Sequence, residues 1–123
     1  MATRAIVRVY DEENRPLCAV YKHWDGYPEG GLGETLREFL NGRKVVNGIP
    51  GWGATVRSVA EAPIANTMAG LAAQLICFLK SESPVGDVYV YPPDYSDVGE
   101  EYVYHVRFAG LGKEAQLEIE EVE

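Results

Sequence analysis

Hydrophobic and polar residues alternate along the N-terminal part of the chain, a period-two pattern typical of β-strands. Residues 3–10 read T-R-A-I-V-R-V-Y, with alanine and valine on one face and larger or charged residues on the other. The polar stretch 11–15 separates this segment from residues 16–24, where the alternation resumes. Two alternating stretches joined by polar turn residues predict an N-terminal β-hairpin.

Two later stretches have apolar residues at every third or fourth position, which is typical of amphipathic helices. The first, residues 34–40, is about two turns long, and Asn41-Gly42 provides its stop signal. The second, residues 64–80, begins just after Pro63 and has an apolar stripe wide enough to cover a sheet. Small residues around Gly70 predict that another element approaches the middle of this helix closely.

The C-terminal part contains three more alternating stretches, predicted as strands at residues 87–91, 102–108 and 114–122. Residues 43–62 are rich in glycine and proline and are predicted as loop, with one brief strand at 55–59. The resulting order, ββααβββ, lacks the strand-helix alternation of a doubly wound parallel sheet. We therefore predict an α+β fold in which a mainly antiparallel sheet of about five strands has both helices packed on one face.

Length and composition add limits to this fold. The chain has 123 residues, which fits a single domain spanning 1–123, and 46% of them are hydrophobic, enough for a folded core. No apolar run approaches the roughly 18 residues of a membrane span, and no secretory signal is recognised, so a cytoplasmic location is expected. The net charge of −8 repels phosphate backbones and argues against nonspecific nucleic-acid binding.

The segment His23-Trp24-Asp25-Gly26-Tyr27-Pro28 concentrates functional side chains around one turn. His23 and Asp25 offer hydrogen bonds, while Trp24 and Tyr27 offer flat rings, so one interpretation is a binding edge. The other is a structural corner, in which the rings close the end of the sheet and Asp25 caps a turn. Both interpretations stay open from the sequence.

Tyrosine dominates the aromatic residues, with eight tyrosines against two tryptophans and three phenylalanines. Several crowd the predicted third and fourth strands, where alternation puts Tyr89 and Tyr91 on one face and pairs Tyr104 with Tyr102; Tyr95 lies between the strands. Tyrosine combines apolar area with a polar tip and suits recognition surfaces, although cross-strand aromatic pairs also stabilise sheets. His105 is predicted to share a strand face with Val103 and Arg107.

Motifs for catalysis and cofactors are weak. Gly30-Gly31-Leu32-Gly33-Glu34 precedes a helix but lacks the lysine and hydroxyl residue of a phosphate-binding loop. Asp94, Asp97 and Glu100 are spaced by three without the pattern of a calcium loop, and a solvated turn is the default interpretation. Cys18 and Cys77 show no zinc-binding spacing and are expected to be reduced, buried thiols. No metal and no cofactor is predicted.

The chain resembles a family of small uncharacterised proteins from bacteriophages, prophages and other prokaryotic genomes. The shared marks are A-T-R at residues 2–4, Y-K-H-W-D-G-Y-P-E-G at 21–30, V-N-G-I-P at 46–50, and the C-terminal Y-P-P-D and E-E-Y-V-Y-H-V. The resemblance covers nearly the whole chain. It implies a single intact domain in a mobile-element context, and it supplies no catalytic residues.

The leading hypothesis is a non-enzymatic, cytoplasmic, phage-encoded binding module. Its predicted surface combines the aromatic loop and the tyrosine-rich strands, made up of His23, Trp24, Asp25, Tyr27, Tyr89, Tyr91, Tyr95, Tyr104 and His105. Excess carboxylate favours a basic partner protein over a small nucleotide-like ligand. A nucleotide would need nearby cations, for which the candidates are Arg4, Arg8, Lys22, Arg57 and Arg107.

Two other classes of function remain as alternatives. One is a small hydrolase or metal-dependent enzyme that uses His23, Asp25 and His105. The other is a structural homo-oligomer whose tyrosine-rich face is the subunit interface. No serine or cysteine lies in a recognised nucleophile motif, which is why a binding role is favoured over an enzymatic one.

Overall fold

A computed structural model describes residues 2–49, 56 and 58–122. These residues form an α+β fold with two helices, as predicted. The elements in chain order are β1 (Ala5–Tyr10), β2 (Pro16–Lys22), α1 (Leu32–Leu40), β3 (Lys44–Val46), β4 (Ile64–Asn66), α2 (Thr67–Glu82), β5 (Val88–Tyr91), β6 (Tyr102–Arg107), β7 (Lys113–Glu114) and β8 (Gln116–Glu121). Of the predicted strand at residues 55–59, residues 55 and 57 lie outside the described part of the chain, and residues 56, 58 and 59 are not in a strand.

The main sheet has five strands in the order β5-β2-β1-β6-β8. Neighbouring strands are antiparallel except for β1 and β6, which run parallel, with Arg8 opposite His105. Three of the four neighbouring pairs are antiparallel, so the prediction of a mainly antiparallel sheet is confirmed for this sheet. The predicted element order ββααβββ is corrected to ββαββαββββ, and the β1–β6 pair makes the sheet mixed. Two parallel neighbours must be joined by a chain connection that crosses from one end of the sheet to the other. Alternation of residues locates a strand but does not show its direction relative to its neighbour, so the parallel pair could not be predicted.

The hydrophobic core lies on the helix side of the main sheet. The alternate β1 residues Ala5, Val7 and Val9 are fully buried there, together with the apolar stripes of both helices. Leu36 in α1 and Leu71 in α2 belong to this cluster. The period-two and helical patterns of the sequence thus meet in one continuous apolar layer.

A smaller sheet of three strands, β4-β3-β7, was not predicted. Within it, β3 pairs parallel with β4 and antiparallel with β7. The predicted start of the long helix at Ile64 is wrong, because residues 64–66 pair with β3 instead of entering the helix. The Asn66 side chain accepts a hydrogen bond from the Gly48 amide at 2.8 Å and fixes this strand beside its neighbour.

The helix α2 starts at Thr67, and an amide in its first turn is hydrogen-bonded by a side chain that is distant in the sequence. The Glu12 carboxylate, in the β1–β2 turn, accepts a hydrogen bond from the Met68 amide at 2.8 Å. A carboxylate at this end also complements the helix dipole. Gly70 itself has room, because a methyl group there would meet nothing nearer than 3.8 Å, whereas Ala72, another of the small residues, is buried in the core.

Residues 92–100 connect β5 to β6 and are called the strap here. The strap crosses β2 and β1 on the sheet face opposite the helices, called the helix-free face. Arg8 projects from β1 onto this face and donates hydrogen bonds to the carbonyl oxygens of Pro93 and Tyr95. Arg4 donates to the carbonyl oxygen of Val98 at 3.3 Å. The neighbouring Ile6 is fully buried, although it lies on the face away from the helices.

Candidate functional site

The helix-free face carries a contiguous group of aromatic side chains at the β5 end of the sheet. Tyr21 lies at its centre, with its ring centroid 6.3, 6.4 and 6.5 Å from those of Tyr89, Tyr91 and Tyr95. We call the group the aromatic surface cluster. Its six members are Tyr21, His23, Trp24, Tyr89, Tyr91 and Tyr95.

Pairing of β2 with β5 explains why the tyrosines meet. Tyr21 is directly opposite Tyr89, and Ala19 is directly opposite Tyr91, so alternate residues of both strands face the same side. The strap then brings Tyr95 back over the sheet, where its ring stacks on Tyr91 with centroids 3.9 Å apart and planes 9° apart. Backbone topology thus joins a strand pair and a loop into one surface.

A hydrogen bond joins the centre of the cluster to its edge. The Tyr21 hydroxyl and His23 Nδ1 lie 2.8 Å apart, and the imidazole meets the Trp24 ring edge-on at 4.8 Å between centroids. Burial raises the pKa of the Tyr21 hydroxyl, so this group stays a neutral hydrogen-bonding partner. The orientation of His23 is therefore set by both of its aromatic neighbours.

Part of the cluster is open to solvent. Trp24 is 50% exposed and Tyr89 is 43% exposed, while the other four rings are half-buried. Large aromatic side chains usually bury most of their area, so two exposed rings supported by four packed ones form an unusual apolar surface. The packed rings restrict motion and leave little side-chain entropy to lose on binding.

A buried carboxylate holds the backbone that carries His23 and Trp24. Asp87 is 6% exposed, and its Oδ1 accepts hydrogen bonds from the His23 and Trp24 amides at 3.1 and 2.8 Å. Its other oxygen accepts from Lys22 Nζ, and from the Ser83 hydroxyl at 3.2 Å. Burial alone would raise the pKa of this carboxyl, but the bonds from Lys22 and the Trp24 amide hold it below its usual value.

The next residues of the loop pack tightly on the start of β1. The Gly26 amide donates to the Thr3 carbonyl at 2.9 Å, and a methyl group at Gly26 would lie 2.7 Å from Ala5 Cβ. Gly31 is equally confined, because a methyl group there would lie 2.8 Å from the Tyr27 ring. Glycine is needed at both positions for the backbone to approach its neighbours this closely.

Asp25 and Tyr27 form a separate contact beside the cluster. The Tyr27 hydroxyl donates to Asp25 Oδ1 at 3.3 Å, and the carboxylate raises the pKa of that hydroxyl. The Tyr27 ring lies against Gly31, and none of the cluster rings contacts it among the described residues. Each interpretation of this segment therefore fits part of the loop. Trp24 is exposed, as a binding edge requires, and the loop that carries it is packed, as a structural corner requires.

Tyr104 belongs to the core and cannot contact a partner at the surface. It is fully buried on the helix side of the sheet, and its hydroxyl donates to the Gly26 carbonyl at 2.6 Å. Burial raises the pKa of this hydroxyl strongly. Its prediction as a surface residue is corrected by the register, because its strand turns Tyr104 toward the helices and His105 away from them.

His105 lies on the helix-free face but in a different group of side chains. Its Nδ1 is 2.6 Å from the Tyr10 hydroxyl, and its Nε2 is 2.8 Å from the Glu120 carboxylate. The Arg107 guanidinium lies over the Tyr10 ring at 4.1 Å and donates to the Asn14 side chain at 2.6 Å. This hydrogen-bonded chain links β1, β6 and β8 across the sheet.

The residues of the enzymatic alternative are not brought together. From the register of the sheet, His23 and His105 are roughly 15 Å apart, given strand spacings near 4.8 Å and rises near 3.3 Å per residue. Each imidazole is bonded to its own tyrosine. Among the described residues, no three histidine, cysteine or carboxylate side chains are grouped to hold a metal ion.

Sequence reasoning missed the tyrosine partners of both histidines. Tyr21 lies two positions before His23, a spacing that puts both on the same strand face and signals their contact. Tyr10 and His105 are distant in the sequence, and only the parallel pairing of their strands brings them together. Local alternation therefore predicts the contact between Tyr21 and His23 but not the contact between Tyr10 and His105.

A scan against protein-family models, a search of curated proteins and a search of solved structures each found no match to this chain. The resemblance to phage and prophage proteins accordingly remains a prediction. No helix in the described ranges is long and apolar enough to cross a lipid bilayer.

Proposed function

We propose that this protein is a non-enzymatic binding module that holds a partner protein on the aromatic surface cluster. The observation that carries the proposal is the pair of exposed rings, Trp24 and Tyr89, supported by packed aromatic neighbours. Tryptophan and tyrosine dominate the energetics of protein interfaces because they bury large areas with few rotatable bonds. The proposed setting is the cytoplasm of a cell that carries the phage or prophage.

A protein partner fits better than a nucleotide-like ligand because the cations that a phosphate would need are already engaged. Arg4 and Arg8 donate to carbonyl oxygens of the strap, and Lys22 is paired with Asp87. Arg107 is bonded to Asn14 and lies 3.7 Å from a carboxylate oxygen of Glu118. Arg57, the remaining candidate, falls outside the described residues.

Binding also accounts for the site better than catalysis does. The Tyr21 to His23 hydrogen bond lies on an open surface, and among the described residues no three histidine, cysteine or carboxylate side chains are grouped around it. General acid-base or nucleophilic catalysis needs several groups within hydrogen-bonding reach of one reacting atom. A packed aromatic surface needs no such arrangement to bind a partner.

Native mass spectrometry of the protein purified from its natural host cells tests the proposal. We expect a second polypeptide to copurify with the unmodified protein and to be lost from the Trp24→Ala, Tyr89→Ala double variant. Leu111→Ala is the matched control, because Leu111 is 62% exposed at a turn outside the cluster. Its variant should retain the partner.

Three outcomes would overturn the proposal. The first is that no polypeptide copurifies, and the second is that the double variant retains it. The third is a homodimer, detected by light scattering after size-exclusion chromatography, that the double variant loses; this outcome would favour the oligomeric alternative. If the first outcome comes with a copurifying nucleotide, it favours the small-ligand alternative.

A further inference from the structure

We infer that the partner presents lysine or arginine side chains to the aromatic surface cluster, so that recognition combines cation–π contacts with carboxylates at the rim. This inference rests on the proposed function and names the chemistry of the partner. The faces of tyrosine and tryptophan rings carry negative electrostatic potential and attract ammonium and guanidinium groups. Three features of the structure favour such a partner.

The first feature is a cation of the chain itself that already contacts the cluster. Lys80 extends from α2 to the β5 edge, where its ammonium lies 5.5 Å from the centroid of the Tyr89 ring. The same ammonium donates to the carbonyl oxygens of Gly86 and Val88 at 3.0 and 3.1 Å. Tyr89 stays 43% exposed with Lys80 in place, so area remains for a second cation.

The second feature is a pair of exposed carboxylates next to cluster residues in the chain. Asp25 follows Trp24 directly, and Asp94 precedes Tyr95 directly; both are exposed. A cation that contacts Trp24 or Tyr95 would therefore meet an exposed carboxylate one residue away in the chain. Aromatic and acidic groups together select cations over neutral apolar groups.

The third feature is the net charge of the whole chain. The protein has a net charge of −8, which steers positively charged partners toward it. Near the cluster, the charge of Lys22 is neutralised by its ion pair with the buried Asp87.

Isothermal titration calorimetry with three probes tests the inference. The probes are a short peptide that alternates arginine and serine, the same peptide with glutamate in place of arginine, and adenosine monophosphate. We expect the basic peptide alone to bind, with an affinity that falls as salt is raised. Trp24→Ala and Tyr89→Ala should each weaken its binding about three- to tenfold, the range of a cation–π contact.

Matched variants separate ring contacts from long-range attraction. The double variant Asp25→Asn, Asp94→Asn should also bind the basic peptide more weakly, whereas Leu111→Ala should leave the affinity for this peptide unchanged. Equal binding by Trp24→Ala, Tyr89→Ala and the unmodified protein would overturn the inference, because net charge alone would then explain the affinity. Tighter binding of the acidic peptide or of the nucleotide would overturn it too.

Failure of this inference is distinguishable from failure of the proposed function. If the basic peptide does not bind while a polypeptide still copurifies through Trp24 and Tyr89, the surface binds a protein by other chemistry and only the cationic partner is rejected. If neither binds, both proposals are rejected. A copurifying partner whose crosslinks to the cluster come from a basic segment supports both.

Discussion

Asp87 fixes the backbone of two members of the aromatic surface cluster, His23 and Trp24. It takes a positive φ of 72°, and this conformation aims a buried carboxylate at the end of β2. There the carboxylate bonds the amides of His23 and Trp24 and the ammonium of Lys22. The two cluster residues that follow β2 are therefore fixed by a charge that is not itself part of the surface.

Replacing Asp87 by asparagine should destabilise the protein by about 3 kcal/mol, because removing one partner of a buried ion pair leaves the other charge uncompensated. Asp94→Asn is the matched control, since Asp94 is exposed and surface substitutions usually change stability by about 0.5 kcal/mol or less. Urea unfolding curves of the two variants provide the measurement. Equal midpoints for both would contradict a structural role for the Asp87 carboxylate.

The same carboxylate predicts a pH dependence of stability. Because its pKa is lower in the folded than in the unfolded protein, its contribution is fully present above the unfolded value of about 4. Below that pH the unfolded chain binds the proton more readily, so the contribution is lost as pH falls through the folded pKa. The stability difference between wild type and Asp87→Asn should accordingly shrink in acid, measured by urea unfolding between neutral pH and pH ~3. A constant difference would exclude this linkage.

At the scale of elements, the loop between β2 and α1 combines a rigid backbone with exposed side chains. Its amides and carbonyls bond to neighbouring elements, as Gly26 does with Thr3 on one side and Tyr104 on the other. The loop returns to the helix through bonds such as that from the Leu32 amide to the Asp25 carbonyl at 2.8 Å. Such a loop holds Trp24 in one place, which a flexible loop would not.

Two glycine substitutions test this packing. Gly26→Ala should cost about 2 kcal/mol, because its methyl group would meet the Ala5 side chain and the Thr3 carbonyl at under 3 Å. Gly86→Ala should be neutral or stabilise by about 0.5 kcal/mol, since its methyl group would meet only the Tyr89 hydroxyl, at 3.8 Å, and backbone freedom in the unfolded chain falls. Thermal unfolding of both variants is the measurement. A neutral Gly26→Ala would show that the loop yields easily.

The strap is the second element that shapes the surface, because it carries Tyr95 over the sheet. It contains no helix or strand. Arg8 of β1 and Arg4, which directly precedes β1, donate to its carbonyl oxygens, and the amide of Glu101, directly after the strap, donates to the Arg4 carbonyl. The Glu100 carboxylate accepts from the Val98 amide at 2.9 Å and closes the turn within the strap.

Arg8→Ala should loosen the strap. Loss of its charged hydrogen bonds is expected to cost about 2 kcal/mol, and the amides of residues 95–98 should exchange with solvent deuterium faster than in the wild type. Arg15→Ala is the control, because Arg15 is exposed and its ion pairs lie in the β1–β2 turn. Hydrogen exchange followed by mass spectrometry distinguishes the two. Unchanged exchange in the strap would mean that other contacts hold it.

Local patterns were sufficient for the elements of the main sheet and not for their partners. Alternation located all five strands of that sheet, because burial of one face repeats every second residue. The short strands β3, β4 and β7 were missed, since two or three residues carry too little periodicity to be recognised. The start of α2 was misplaced because pairing with β3 outweighs helix propensity at Ile64.

The same limit applies to the site. An aromatic surface containing His23, Trp24, Tyr89, Tyr91 and Tyr95 was predictable, because aromatic residues are concentrated in two segments of the sequence. The burial of Tyr104 and the separation of His105 from the cluster depend on strand order, which no local pattern encodes. The sequence therefore indicated an aromatic surface, and the strand order determines which aromatic residues belong to it.

At the scale of the whole molecule, one apolar core joins the two sheets and the two helices. Val45 of the small sheet, Val7 of the main sheet, Leu36 of α1 and Leu75 of α2 all belong to the same buried cluster. A continuous core makes partial unfolding costly, because each element loses buried area when a neighbour leaves. The aromatic surface cluster lies outside this core and is anchored to it through β2, β5 and the strap.

This arrangement predicts that the chain unfolds as one cooperative unit, surface included. In a Trp52→Phe variant, Trp24 is the remaining tryptophan, so its fluorescence reports on the aromatic surface cluster while far-UV circular dichroism reports on the helices and sheets. The two urea transitions should coincide, as two-state unfolding requires. A fluorescence transition at lower urea would show that the cluster melts before the core. Its rings would then have to be ordered by the partner, and binding would lose the entropic advantage of a surface that is already formed.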